Sequence, residues 1–450
     1  MKSILKSSLK YIFTFVATVI LGIEVLYIAT FIPKVMIKDN TKKSATYLAE
    51  QGEKFYKTSL GNKVLFHNST DAIMLNITYG LDEDDRFEGI MKGRRNHIPG
   101  SNQDVFEDSK GNLISEYRNF RMTKEFDEMM KDNVDQSIYE YGRYWHGYIV
   151  PLRIMLIFGT IIDIRIILQL IVIALLGLLT FLLIKKHNKK YESLVILLSF
   201  FMIDLITWSY NVQGMFVMLI SLIASCLVAG GKINSKNLSY SLFVIGMFTA
   251  YLDFLTVPFV TCLMPIIINN LVKEDNEEKF IKIFIRFFKN IIAWGIGYVG
   301  FWAAKWVVSD LFLGTDIMKV SLEQIFIRIG VKDNPKDINV VRMLALKDNF
   351  KAIMHPANYA VIVFSTVLFI VNLIRNGFKN IYNKNCFVYH ISIFMVLAWY
   401  LVCADHSMMH WFFTYRLTII LIMSCLLLAV QNNKKKKDKK KKDKKERVKC

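Results

Sequence analysis

The long polar stretch 33–146 contains no cysteine. All six cysteines lie at Cys226, Cys262, Cys386, Cys403, Cys425 and Cys450. This excludes a disulfide scaffold in that stretch, and no pair has the spacing of a thiolate metal site. Cys450 is the last residue, so it forms no prenylation box. A Gly-rich phosphate loop is also missing, and nothing demands a nucleotide. No small-residue cleavage site precedes Asp39, and the apolar run there is too long for a signal peptide. It reads as an uncleaved first span. Internal repeats and inverted pairs of Gly/Pro-broken segments, common in transporters, are absent. Acids are few as well, with 38 Asp and Glu against 57 Lys and Arg.

What is abundant is apolar sequence in blocks. Runs such as 11–32 and 166–184 are long enough to cross a hydrocarbon core of about 30 Å as helices. Every backbone polar group in lipid needs a partner within the chain, so open sheets are excluded. The pattern predicts an all-α polytopic membrane protein. About ten transmembrane helices are expected, at 11–32, 166–185, 192–209, 213–230, 238–254, 256–272, 289–308, 357–375, 386–403 and 413–430.

Lys and Arg in short loops orient such a chain. Lys2, Lys6 and Lys10, the run 185–190, Lys232 and Lys236, the segment 273–289, and Arg375, Lys379 and Lys384 all fall on one side when ten spans are drawn. So does the tail, where eleven lysines and one arginine face three acids over 434–449. That side is expected to be cytoplasmic, with both termini there and the protein multi-pass in the plasma membrane. The expected units are 1–32, the N-terminus and first helix; 33–146, a mainly helical extracytoplasmic domain; 147–165, an interfacial helix; 166–308, helices two to seven; 309–356, a second outer segment; 357–430, helices eight to ten; and 431–450, the Lys-rich tail. Like charges keep that tail solvated, and it would attract anionic lipid. It lacks the folded basic surface or aromatic platform that specific nucleic-acid binding needs.

This topology sends the unusual polar residues to the outer face. "ADHSMMHWFFTYR" (404–416) brings Asp405, His406, His410 and Arg416. "YGRYWHG" (141–147) brings Arg143 and His146. Arg153, Arg165, Asp253, Lys305 and Asp71 join them, while Trp208 and Tyr210 flank an outer turn. Ionisable groups at membrane depth cost roughly 2.5–3.5 kcal/mol each unless paired or hydrated. A shared polar cavity accounts for them. Taken singly, Arg153, Arg165, Lys305 and Arg416 also suit snorkelling anchors, and Asp253 suits a helix cap. Glu24 and Asp204 suit interhelical contacts. His406 and His410 share a helix face, but the third ligand and base of a zinc motif are missing, so a divalent metal is not favoured.

Such a cluster suits a phosphate on a lipid carrier. Guanidinium forks and lysine charges hold phosphate oxygens, and a carboxylate can take a proton from an attacking hydroxyl. The expected activity is glycosyl transfer from a polyprenyl-phosphate sugar to a cell-envelope glycopolymer acceptor outside the membrane. Asp71 or Asp253 would be the base. Arg143, His146, Arg153, Lys305, His406, His410 and Arg416 would hold the donor phosphate or sugar. Flipping or transport of a glycan and a non-catalytic scaffold are the alternatives.

The segments "TDAIMLNITYG", "RYWHGYIVPLRIMLIFG", "GMFTAYLDFLTVP", "GYVGFWAAKW" and "DHSMMHWFFTYR" together resemble a sparsely characterised group of multispanning membrane proteins of Gram-positive bacteria, over about residues 11–430. In layout the chain is similar to GT-C glycosyltransferases. That resemblance implies one span, an outer loop with a catalytic acid, and a lipid-phosphate site at the outer leaflet. The acid of those enzymes usually follows the first span closely. Asp71 stands about forty residues beyond it, whereas Asp39 and Glu50 are nearer.

Overall fold

A computed structural model describes residues 2–52, 55–57, 63–65, 68–81, 85–98, 115–131, 135–273, 278–330, 337–376, 384 and 386–430. The Lys-rich tail lies outside the described residues. The chain is overwhelmingly helical. Its helices are α1 (Lys2–Ala29), α2 (Lys34–Gln51), α3 (Asn68–Gly80), α4 (Arg86–Lys92), α5 (Ser115–Met130), α6 (Ile149–Phe158), α7 (Ile161–His187), α8 (Lys190–Met202), α9 (Val212–Ala229), α10 (Leu238–Leu252), α11 (Val260–Val272), α12 (Phe280–Leu313), α13 (Ile317–Arg328), α14 (Ile338–Ile353), α15 (Pro356–Asn376), α16 (Phe387–Val402), α17 (Ala404–Met409), α18 (Trp411–Thr414) and α19 (Thr418–Val430). Two small antiparallel ladders accompany them. β1 (Phe55–Lys57) pairs with β2 (Lys63–Leu65), and β3 (Arg94–His97) pairs with β4 (Ser137–Glu140), with Arg94 opposite Glu140.

Among the described residues, five helical stretches are long and apolar enough to cross a membrane: Ser8–Ala29, Ile161–His187, Val212–Ala229, Phe280–Leu313 and Trp411–Val430. A sixth arises if α14 and α15, bent by 95°, count as one broken span. The other four expected spans fall on α8, α10, α11 and α16, of 13, 15, 13 and 16 residues. At 1.5 Å per residue these fall short of a core about 30 Å thick.

Side-chain ties give the helix directions. Asp71 bridges the beginnings of α7 and α9, and His187 Nε2 donates to the Ala229 carbonyl at their far ends, 2.8 Å. These two helices therefore run in the same sense. So do α10 and α12, with Ser239 Oγ donating to Asn290 Oδ1 (2.6 Å) near their starts and Trp302 Nε1 to the Ala250 carbonyl (3.3 Å) near their ends. The segment from α2 to α6 sits on the end of the bundle where α7 and α9 begin and α10 and α12 finish. Lys185, Lys186 and His187 close α7 at the opposite end. Glu24 does not reach a neighbouring helix; it is exposed on α1.

The α10–α12 crossing depends on two glycines. A Cβ on Gly297 would stand 2.1 Å from the Phe243 carbonyl oxygen, and one on Gly246 2.3 Å from that of Trp294. Small residues let helices approach this closely. Backbone cannot swing aside as a flexible side chain can. Gly297→Ala is expected to cost at least about 1–3 kcal/mol, the usual range for overpacking. A thermal unfolding curve of the purified protein in detergent checks this.

Residues 147–165 divide in two. Gly159 ends α6 in an extended conformation, and Thr160 opens α7 with a capping box, its N–H and hydroxyl both donating to Asp163 Oδ2 at 2.8 Å. Arg165 therefore sits in the opening turns of a long apolar helix.

Candidate functional site

Asp71 lies in the first turn of α3 and is buried. Its Oδ2 accepts from Arg165 Nε at 3.0 Å and from Nη2 at 2.6 Å. Its Oδ1 accepts the Val212 backbone N–H at 3.1 Å, at the first residue of α9. Negative charge is favoured at a helix N-terminus, where N–H groups lack intrahelical partners. Asn68 Oδ1 takes a further bond from Arg165 Nη2, 2.8 Å. Burial pushes the Asp71 carboxyl up to about 6, while Arg165, the Val212 amide and Arg416 pull it down without restoring the ordinary value. A carboxylate offers about four lone-pair sites, so three bonds leave room for one more.

Arg416 is the second cation acting on Asp71. Its segment is a broken helix, passing from α17 through α18 and a 3-10 turn (Tyr415–Leu417) to α19. Thr414 pins the break, donating to Asn349 Oδ1 at 2.7 Å, while Asn349 Nδ2 donates to the Ser407 carbonyl at 2.8 Å. Arg416 is 2% exposed, and its guanidinium acts on the neighbouring Tyr415 hydroxyl by charge and by hydrogen bonding. Its Cζ lies 5.7 Å from the Trp208 ring centre and 5.3 Å from that of Tyr415. Arg165 Nη1 and the amide nitrogens of Asn211 and Gln213, flanking Val212, are buried without acceptors among the described residues. Buried donors are normally satisfied. These donors lie about the Asp71 carboxylate, with a second buried acid, Asp204, acting on Tyr415, and donors of this kind are what an oxyanion binds.

Arg143, His146 and Lys305 meet elsewhere, around the 141–147 segment. Lys305 Nζ donates to the carbonyls of Ile90 (3.2 Å) and Tyr144 (2.5 Å), Trp306 Nε1 to that of Arg143 (2.9 Å), and Trp145 Nε1 to that of Phe301 (2.6 Å). The end of α12 thus clamps this loop. His146 adopts φ 58°. Its Nε2 donates to the Tyr141 carbonyl at 2.8 Å, leaving Nδ1 to accept from Tyr148 Oη at 2.9 Å. Burial, with Lys305 beside it, holds the imidazole well below its usual value, so it is neutral. Its ring occupies the place of a Cβ at Gly93, 2.6 Å away, which explains glycine there. Arg143 stacks over Tyr141 and Tyr144 and donates to Tyr141 Oη at 3.0 Å. Arg153 stands apart, donating to the carbonyls of Ile32 (2.7 and 3.0 Å) and Thr78 (3.1 Å) and bracing α3 against the chain after α1.

Asp253 ends α10 and takes the Thr256 N–H at 3.0 and 3.2 Å and the Thr256 hydroxyl, an ordinary turn-closing arrangement. In the same turn Leu255 has φ 68°, and its carbonyl accepts from His406 Nε2 at 2.6 Å. Burial and then the charge of Arg328 push His406 down to about 3. His410 Nε2 accepts from Arg328 Nη1 at 2.9 Å.

The structure therefore brings Asp71 and Arg416 together, places Arg143, His146 and Lys305 in a clamp, joins His406 to the Asp253 turn, and leaves Arg153 by itself. The sequence pattern marks Asn68 only as an N-x-Ser/Thr sequon and does not mark Asn211, Gln213 and Arg328 as site residues. Asparagine and glutamine at a helix start carry no signal of a shared cavity, and Arg328 looks like any cation in a polar segment. Among the described residues no group of three or more His, Cys, Asp or Glu could hold a metal ion. Comparison with protein-family models, curated proteins and solved structures gave no match.

Proposed function

We propose that this chain is a GT-C-like membrane glycosyltransferase that moves a sugar from a polyprenyl-phosphate donor to a cell-envelope glycopolymer. The observation carrying the reading is the buried Asp71 carboxylate within electrostatic reach of a second buried guanidinium, Arg416. In this reading the chain crosses the plasma membrane ten times, the short helices crossing where the bilayer is thinned or the helix ends are extended by turns. The Lys-rich ends and both termini are cytoplasmic, the tail touches anionic lipid, and the Asp71 junction faces outward.

Asp71 takes the proton of the acceptor hydroxyl as its oxygen bonds to the anomeric carbon. The bond from that carbon to the phosphate oxygen breaks, and its electron pair leaves with the phosphate. Arg416 meets the charge that develops there, as fixed cations do at leaving groups. The clamp formed by Lys305, Trp306 and His146, together with the Arg153 brace, positions the outer segment over the junction.

Reconstituted protein supplied with a radiolabelled isoprenyl-phosphate sugar and a glycopolymer acceptor tests the proposal. Label should pass to the polymer. Arg416→Gln should raise the donor KM by about tenfold or more, the loss of one charged hydrogen-bonding partner. Transfer at the wild-type KM in that variant would rule out the assigned phosphate site.

A further inference from the structure

From Asn290 to Ser309, α12 carries a single charged residue, the buried Lys305. That stretch is about 30 Å long, one hydrocarbon core. Lys282, Arg286 and Lys289 precede it and Asp310 follows it, so the helix leaves the core at Asp310. There the chain turns a built corner. Gly314 has φ 61°, and the Asp310 carboxylate accepts the Thr315 hydroxyl (2.6 Å) and the N–H groups of Ile317 (2.8 Å) and Met318 (3.0 Å). The start of α13 therefore lies at the lipid–water boundary. The end of α14 lies there too, because it meets the apolar α15 at 95°. A helix at right angles to a span, whose own tilt averages about 20°, lies along the membrane plane.

Both helices show the protein one side only. On α13, Ile317 reaches the backbone at Gly142, Ser321 is buried and Arg328 donates to His410, at i, i+4 and i+11. A different side carries Met318, Leu322, Ile325 and Phe326 at i, i+4, i+7 and i+8, an apolar stripe in which the last three are exposed. Lys319 and Glu323 stand off that stripe. α14 buries Val341, Ala345, Asn349 and Ile353 on the side packed against α17 and leaves Val340, Met343, Lys347 and Lys351 exposed. Leu311 and Phe312, at the end of α12, are 74% and 68% exposed and lead directly into this surface.

We infer that α13 and α14 lie in the leaflet at this end of the bundle, with the bilayer itself as the partner of their apolar sides. Contiguous apolar surface of this kind marks a membrane or protein contact. Continuity with the lipid-facing end of α12 and the right angle to α15 select the membrane. Lys319, Lys347 and Lys351 suit the headgroup level, where an amphipathic helix keeps its cations while its apolar side sinks toward the acyl chains. The same two helices hold the broken helix that leads to Arg416, α13 through Arg328 on His410 and α14 through Asn349, which donates to the Ser407 carbonyl and accepts from Thr414. That segment is thereby braced from the membrane surface, and the inference stands whether or not the chain transfers sugar.

Hydroxyl-radical footprinting of the full-length wild type, read by mass spectrometry, tests this in vesicles of phosphatidylcholine and phosphatidylglycerol. Each residue's oxidation rate is taken relative to the same residue in the proteolysed protein. Phe13 on the long span α1 is the lipid-facing reference, and Tyr139 on β4 is the water-facing one; both are exposed on the protein. Phe326 and Met343 should be protected about tenfold or more, as Phe13 is, which is the preference of an apolar side chain for lipid over water. Tyr139 should keep most of its rate. The protection should persist in nanodiscs that hold one copy of the chain. Protection that disappears there would give the surface to a second copy. Rates at Phe326 and Met343 as high as that of Tyr139 in vesicles would put the surface in water. Either result overturns the inference.

Discussion

Replacing Asp71 by asparagine is expected to lower the sugar-transfer rate by about two to four orders of magnitude, the usual contribution of a positioned general base. Asparagine keeps one oxygen, enough for either the Val212 N–H or Arg165, turns the other position into a donor and removes the charge. Arg165 is then an uncompensated buried cation, a loss worth up to about 3–5 kcal/mol when a buried pair is broken. The rate must therefore be read per folded molecule, with folded protein counted by size-exclusion chromatography. The pH profile separates a base from a structural carboxylate. The base form is the ionised one, and burial raises this carboxyl from 3.8 to about 6. Activity of the wild type should fall as pH drops through about 6, while at 3.8, the ordinary position, an unperturbed aspartate would still be half ionised. The asparagine variant should show no such acidic limb. An unshifted limb with full activity in the variant would remove Asp71 from the chemistry.

How legible this arrangement is in the sequence varies residue by residue. Asp71 stands out because it is an acid in a short apolar-rich helix whose neighbours "AIMLNI" have no reason to carry charge at that depth. Arg165 is different. In sequence it terminates a stretch with Pro151, Arg153 and Asp163, and that mixture suits an interfacial helix. Only the Gly159–Thr160 break, with Asp163 closing the capping box, moves it into the long helix α7 and over Asp71. Two N-x-Ser/Thr sequons, at Asn68 and Asn76, illustrate the same limit. Asn68 and Asn76 match a glycosylation pattern, yet both are buried, Asn68 on Arg165 and Asn76 on the backbone of Asn96. Blocks of apolar sequence reveal that helices cross a membrane. They do not fix how many, because 13-residue helices such as α8 and α11 fall below the length at which hydropathy alone decides. Polar residues carry even less directional information: a lysine in an apolar helix reads alike whether its amino group meets a substrate or two carbonyls of its own chain.

Lys305 is the residue on which that ambiguity can be resolved, and Lys305→Met is expected to act on the fold rather than on donor binding. Its amino group is fully buried and donates to the carbonyls of Ile90 and Tyr144, joining α12 to the end of α4 and to the 141–147 loop. Methionine matches the stem in length and apolar character but leaves two buried carbonyls without this donor. Each unmet group costs about 1–3 kcal/mol, so a loss of about 2–6 kcal/mol follows. Trp306 and Trp145 hold the same loop through bonds to Arg143 and Phe301, so loosening should be local before it is global. Thermal unfolding in detergent should show a clear drop in midpoint, and protease nicking near residues 141–147 should appear at temperatures where the wild type is resistant. The donor KM of the molecules that remain folded should match the wild type. A variant with an unchanged midpoint and a raised donor KM would show the opposite: that the Lys305 amino group leaves its carbonyls to hold substrate, and that the phosphate site extends from Arg416 to the end of α12.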